Sequence, residues 1–110
     1  MYLPNGERAI VPIEKLRDYC LNESHIEGKH KAKVFASALG FTADDSEKLR
    51  RVLLDAAKTQ EVEFGEKNEY GQRYVLDFTI FGPFGPVAVR SSWIVRTLEV
   101  VPRLVTCYVI

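Results

Sequence analysis

The sequence predicts an α+β fold: two to three N-terminal helices packed on one face of a four-stranded antiparallel β-meander, in a single domain over residues 1–110. Three observations predict it. Apolar residues recur at helical spacing as far as about Lys58 and alternate from Glu61 onward. The strand-like segments follow one another after the helices rather than alternating with them. The size suits one domain: 110 residues, 46% hydrophobic and 27% charged, is ordinary globular usage.

Pro12 suits the first position of a helix running to about Leu21, where its missing N–H costs nothing. Ile13, Leu16 and Arg17 keep the spacing, and Tyr19-Cys20-Leu21 close it. Residues 22–28 form a polar connection. A second helix spans Lys29 to Leu39, with Val34, Phe35, Ala38 and Leu39 as its core-facing stripe. Gly40 stands just past its end. Thr42 and Asp45 form the acidic variant of a capping box. They start a third helix to about Lys58, with Leu49, Val52, Leu53, Ala56 and Ala57 in its stripe and Lys48, Arg50, Arg51 and Lys58 off it.

A short strand is expected at Glu61 to Phe64, then a turn at Tyr70-Gly71. The next strand, Arg73 to Phe81, turns Tyr74, Leu76, Phe78 and Ile80 to one face. The run Gly82-Pro83-Phe84-Gly85-Pro86 reads as a hairpin connection. Val87 to Arg96 follows with Val87, Val89, Trp93 and Val95 on its apolar side. Pro102 precedes a last strand, Arg103 to Val109, in which Val105, Cys107 and Val109 suit the core. The opposite face then carries Arg73, Asp77, Thr79, Arg90, Ser92, Thr106 and Tyr108. Polar alternation is ordinary on a solvated sheet face, and a bulge would flip these assignments.

The chain has 15 basic and 15 acidic side chains, a net charge of zero. That excludes a protein that coats nucleic acid nonspecifically. No apolar run approaches the roughly 20 residues needed to cross a bilayer, so no membrane association is expected. The N-terminus has no basic segment leading into an apolar one, so a cytoplasmic location is expected. Cys20 and Cys107 lack metal-site or redox-motif spacing and read as reduced, buried thiols. No metal and no cofactor is expected: a metal-dependent nuclease needs clustered carboxylates, and the candidate face offers Asp77 alone.

The neutral sum hides an uneven map. Lys29-His30-Lys31-Ala32-Lys33 carries three lysines and no acid, while Glu61, Glu63, Glu66 and Glu69 lie elsewhere. Cations at a helix start oppose the helix dipole, so the cluster suits an incoming anion such as phosphate. Lys31 extends the apolar stripe of its helix, so its ammonium is expected along the core edge. His30, expected on the flank beside it, is an imidazole able to give or take a proton. Lys29 and Lys33 taken alone read as solvated lysines.

Several stretches then resemble a known family. They are Leu3-Pro4-Asn5 with Ile13, Lys15-Leu16 and Tyr19-x-Leu21-Asn22; Gly28-x-His30-Lys31-Ala32-x-Val34-Phe35 with Leu39-Gly40-Phe41; Tyr70-Gly71-x-Arg73-Tyr74-x-x-Asp77; Ser92-Trp93-Ile94-Val95; and Pro102-Arg103-Leu104-Val105-Thr106-x-Tyr108. Together they resemble an uncharacterised bacterial domain family found as small stand-alone proteins and at the C-termini of polymorphic toxins and phage-head-type proteins. Its layout is similar to the barnase, EndoU, colicin and RelE type of ribonuclease toxin. The resemblance implies metal-independent RNA cleavage by attack of a 2′-hydroxyl on the adjacent phosphate. The implied catalytic set is His30 and Lys31 from the helix with Arg73, Ser92, Thr106 and Tyr108 from the sheet. Similar family members tend to have Thr before the Trp; Ser92 keeps the hydroxyl. The implied partners are RNA (tRNA or mRNA, with no DNA) and a cognate antitoxin or immunity protein. Lys29, Lys33, Arg50, Arg51 and Arg90 would steer the RNA backbone. The rival reading is a non-catalytic binding module, an antitoxin, immunity or adaptor protein, whose polar sheet face is the interface; exposed Trp and Tyr would favour it. The two readings divide on one point: a helix on one face reaches the other only round the sheet edge.

Overall fold

The computed structural model describes residues 1–110. Helix α1 begins at Ile13, directly after Pro12, but keeps α geometry only to Lys15. Residues Leu16–Cys20 widen into a π-helical turn, closed by the Leu21 N–H donating to the Leu16 carbonyl at 2.8 Å. The single regular helix expected to Leu21 is therefore two pieces. A π turn stacks residues five apart, so Leu16 and Leu21 lie together in the core, with Cys20 beside them. Helix α2 spans Lys29–Leu39 and buries Ala32, Phe35 and Leu39, leaving Val34 exposed. It ends at Gly40, whose left-handed φ of 71° suits a residue without a Cβ. The Thr42–Asp45 capping box is present: Thr42 Oγ1 accepts from the Asp44 N–H, and an Asp45 carboxylate oxygen accepts from the Thr42 N–H at 2.9 Å. The box holds a 3₁₀ turn over Ala43–Asp45 that leads into helix α3, Ser46–Thr59.

The sheet has the order β1-β2-β3-β4, all neighbours antiparallel. Strand β1 covers Glu63–Asn68, later than the expected Glu61 to Phe64. Glu61 is instead bridged to Tyr2, and the Val62 N–H donates to the Met1 carbonyl at 2.7 Å, so the N-terminal residues occupy that position. Strands β2 (Gly71–Gly82) and β3 (Gly85–Arg96) form a long hairpin across the two-residue loop Pro83-Phe84. At Gly71, φ is 144° and the Val95 backbone lies where a Cβ would project, so only glycine fits. Strand β4 is Arg103–Val109.

A bulge in β4 corrects one expectation. Trp93 pairs with Leu104 but Ser92 pairs with Thr106, so Val105 is an extra residue in the ladder. Leu104 and Cys107 both face the core as a result, and Val105 leaves it half-buried.

The helices cover one sheet face. Tyr74, Leu76, Phe78, Val89, Trp93 and Leu104 meet Leu16, Leu21, Phe35, Leu49 and Leu53 there. Trp93 is wholly buried. Its indole N–H donates to the Ser91 hydroxyl at 2.9 Å, and that hydroxyl donates to the Leu76 carbonyl at 2.8 Å. The exposed tryptophan that would have marked a protein interface is thus a core residue with every polar group satisfied.

Ser91→Ala is expected to strand the indole N–H in the core and to destabilise the fold by about 1–3 kcal/mol. Denaturant unfolding followed by Trp93 fluorescence measures it; a change within error would mean that the hydroxyl contributes nothing.

Candidate functional site

Strand β4 lies at the sheet edge, and α2 packs alongside it. At 3.6 residues per turn, Lys31 sits about 70° round α2 from the centre of the buried stripe, on the border facing this edge. Its ammonium reaches past the edge to the ring of Tyr108, 4.4 Å from the centroid. A cation over an aromatic face is held there by the ring quadrupole. Tyr108 points to the face that the helices leave uncovered, opposite Arg90 on β3. Arg90 in turn donates two hydrogen bonds, each 2.9 Å, to Asp77 on β2. Lys31, Tyr108, Arg90 and Asp77 therefore form one row across the sheet.

The register places a second row next to it, Thr106, Ser92 and Val75, and a third of Arg103, Ile94 and Arg73. Ser92 and Thr106 are direct cross-strand neighbours, about 5 Å apart in backbone. Arg73 stands one strand and one row away from Ser92 and forms no ion pair, whereas Arg103 is tied to Glu99. Asp77 is held below the usual carboxylate range, chiefly by the hydrogen bonds it accepts from Arg90, and partial burial opposes the shift. The same contact pushes the Arg90 guanidinium up.

Beside Lys31 a cleft of about 470 Å³ opens between the π-helical turn and β4. Lys15, Tyr19, Glu27, Lys31, Val105 and Thr106 line it. The Thr106 hydroxyl is buried and has no hydrogen-bond partner in the protein. It lies near Cys20, which is itself beside Cys107. Hydrogen bonding from Cys107 lowers the Cys20 thiol, and the same pairing, helped by burial, raises Cys107.

The structure thus brings Lys31, Thr106, Tyr108, Ser92 and Arg90 together, with Arg73 a row further. It does not bring His30. One residue along a helix turns about 100°, so His30 points roughly 170° from the buried stripe, into solvent. His30 is exposed on α2, about 100° round the helix from Lys31. Lys29 and Lys33 are exposed on α2. Arg50 donates to the Val11 carbonyl at 2.9 Å and lies 3.9 Å from Glu47, pinning α3 to the chain before α1. Arg51 is exposed on α3, in the layer on the opposite side of the sheet. Sequence reasoning missed Lys15, Tyr19 and Glu27. Lys15 and Tyr19 are four apart, a spacing that shares one helix face, whereas Glu27 sits in an irregular turn without pattern. His25 is structural: its Nδ1 accepts the backbone N–H groups of Glu27 and Gly28 at 3.0 and 3.1 Å, and its ring meets Tyr19 edge-on.

Residues 2–110 match the family model of a domain of unknown function, DUF6883. The chain belongs to that family. No curated protein matches it. Among solved structures the domain is similar to a chain of a contact-dependent growth inhibition toxin–immunity protein complex from Klebsiella pneumoniae 342. The TM-score is 0.68 over 92% of this chain and 99% of that one, at 14% identity. At that identity the likeness is one of fold. No helix of the domain is long and apolar enough to cross a membrane.

A carboxylate held below its ordinary range stabilises the fold fully at neutral pH, and the contribution is lost as pH falls through that range. Both partners here are largely exposed, so the effect is small. Asp77→Asn is expected to lower the Tm slightly at pH 7, and the gap to the parent should narrow as pH falls below the ordinary carboxylate range. A gap that stays constant across that titration would show that the pair is not its source.

Proposed function

We propose that this domain is the toxin partner of a toxin–immunity pair and cleaves RNA without a metal ion. The observation that carries the reading is Lys31 turned round the β4 edge onto Tyr108. It joins the cationic helix start to the hydroxyl-bearing sheet face, the junction that a phosphate-binding site built from both would need. The fold likeness to a chain of a toxin–immunity complex supports a role on one side of such a pair.

In this reading the 2′-hydroxyl oxygen bonds to the adjacent phosphorus and the bond from phosphorus to the 5′-oxygen breaks. The products are a cyclic phosphate and a free 5′-hydroxyl. Lys31 and Arg73 would meet the negative charge that develops on the phosphate oxygens. Ser92 and Thr106 would hydrogen-bond the phosphate or ribose. One proton leaves the 2′-hydroxyl and one joins the 5′-oxygen; Tyr108 is the group in the cluster able to relay it. His30 takes no part. The binding-module reading has less behind it, since the tryptophan it would use as an anchor is in the core.

The test is growth arrest on expression, together with degradation of total RNA by the purified domain in the presence of a chelator. Lys31→Met and Thr106→Val are each expected to slow cleavage by on the order of 100-fold, and His30→Ala to leave it within about twofold. Thr106→Val keeps the side-chain shape. Intact RNA and unchecked growth with the parent domain would sink the proposal.

A further inference from the structure

We propose that Cys20 and Cys107 are a reversible redox pair: a peroxide joins them in a disulfide that ties the π-helical turn to β4, and a small thiol releases it. The pair lies beyond the ribonuclease reading and stands whether or not the domain cleaves RNA.

The meeting of the two thiols comes first. They are the chain's two cysteines, one in the π-helical turn and one in the edge strand, and both are free. The turn packs against β4 and brings them into hydrogen-bonding contact. Each is only 1% exposed, so each has the other, and no thiol of a second molecule, within reach. The β4 bulge makes the contact. Without the extra residue Val105, a strand that buries Leu104 would turn Cys107 to the opposite face.

The surroundings of the two sulfurs are unequal. Cys107 donates its S–H toward Cys20, and the Thr106 hydroxyl stands beside Cys20 as well. That hydroxyl is buried without a partner, so ionising Cys20 gives it a charged acceptor. The Lys15 ammonium favours the same thiolate. Against the opposing effect of burial, the Cys107 hydrogen bond and these lesser contacts bring Cys20 down to about 7. Cys107 is pushed up, by its bond to Cys20 and by burial. The thiolate is the nucleophile in thiol oxidation. Cys20 is therefore the attacking sulfur and Cys107 the resolving one.

The chemistry balances with one peroxide. The Cys20 thiolate attacks one oxygen of hydrogen peroxide and the O–O bond breaks. Hydroxide leaves, takes up the proton that the thiol had released, and becomes water; Cys20 is now a sulfenic acid. The Cys107 sulfur displaces the hydroxyl from Cys20, and its own proton leaves with that hydroxyl as a second water. Two thiols are oxidised to a disulfide and one peroxide is reduced to two waters. Two equivalents of a small thiol reverse the bond and leave as their own disulfide. Cys20 rides on a five-residue turn after an α1 of three residues, so a peroxide reaches it when a short segment opens, without the melting of a long helix. The disulfide closes a loop of about 90 residues, which restricts the unfolded chain and stabilises the oxidised domain. It also joins the two walls of the cleft, since Tyr19 and Thr106 are the chain neighbours of the two cysteines.

The purified domain is treated with hydrogen peroxide, quenched with a thiol-alkylating reagent and digested for mass spectrometry. The expected product is a monomer that has lost two hydrogens, with the peptides of Cys20 and Cys107 linked. Its Tm should rise by about 10 °C and return to the starting value with dithiothreitol. In Cys107→Ala, peroxide should leave a sulfenic acid at Cys20 that dimedone traps; in Cys20→Ala, the same dose should leave Cys107 unlabelled. The linkage and the Tm are read on the parent domain, so a variant that fails to fold does not remove the test. Both thiols still alkylatable after peroxide and unfolding, a disulfide between molecules only, or a link that forms only in denaturant overturns the proposal. An unchanged Tm in the linked monomer also overturns it. None of these readouts involves RNA, so their failure leaves the ribonuclease reading untouched, and intact RNA leaves the redox pair untouched.

Discussion

The extra residue in β4 is the constraint on which the rest depends. Side chains alternate along a strand, so without the bulge Leu104 and Cys107 would face opposite sides of the sheet. Both are buried among the helices, and the bulge at Val105 makes that possible. The same irregularity turns Val105 and Thr106 to the cleft that the π-helical turn leaves open. The two departures from regular structure thus face each other across one space. Core packing accounts for each on its own side: Leu16, Cys20 and Leu21 in the turn, Leu104 and Cys107 in the strand.

Helix phase makes the second selection. The cluster at the start of α2 looks like one basic patch in sequence, but successive residues turn about 100° apart. Packing of Ala32, Phe35 and Leu39 sets the rotation of the helix. Of the four candidates only Lys31 then lies at the sheet edge, while His30 is turned to water. Zero net charge is compatible with this arrangement. A single ammonium brought to a row of hydroxyls and a phenol is a local positive charge whatever the sum, since screening confines surface charge to about 8–10 Å.

Much of the fold was legible in the sequence because its signals are local and periodic. The bounds of α2 and β4, the Thr42–Asp45 cap, the Gly82–Gly85 hairpin and the polar parity of β2 and β3 all follow from residues near one another in the chain. Deviations occurred where distant segments compete. Glu61 is held by Tyr2, so β1 starts later. The bulge answers to the core behind it, and the π turn to the packing of Leu21.

By itself the sequence determined the fold class, the two faces of the sheet and the residue types available for chemistry, because hydrophobic spacing and caps act over a few residues. Only the tertiary structure decided which of those residues meet. Lys31 finds Tyr108, from 77 positions further along, because α2 packs against the edge strand rather than the sheet centre. Lys15, Tyr19 and Glu27 become a cleft because a π turn and a bulge align. Spacing along the chain carries no such information: three-dimensional neighbours across a sheet edge are chosen by how the core closes.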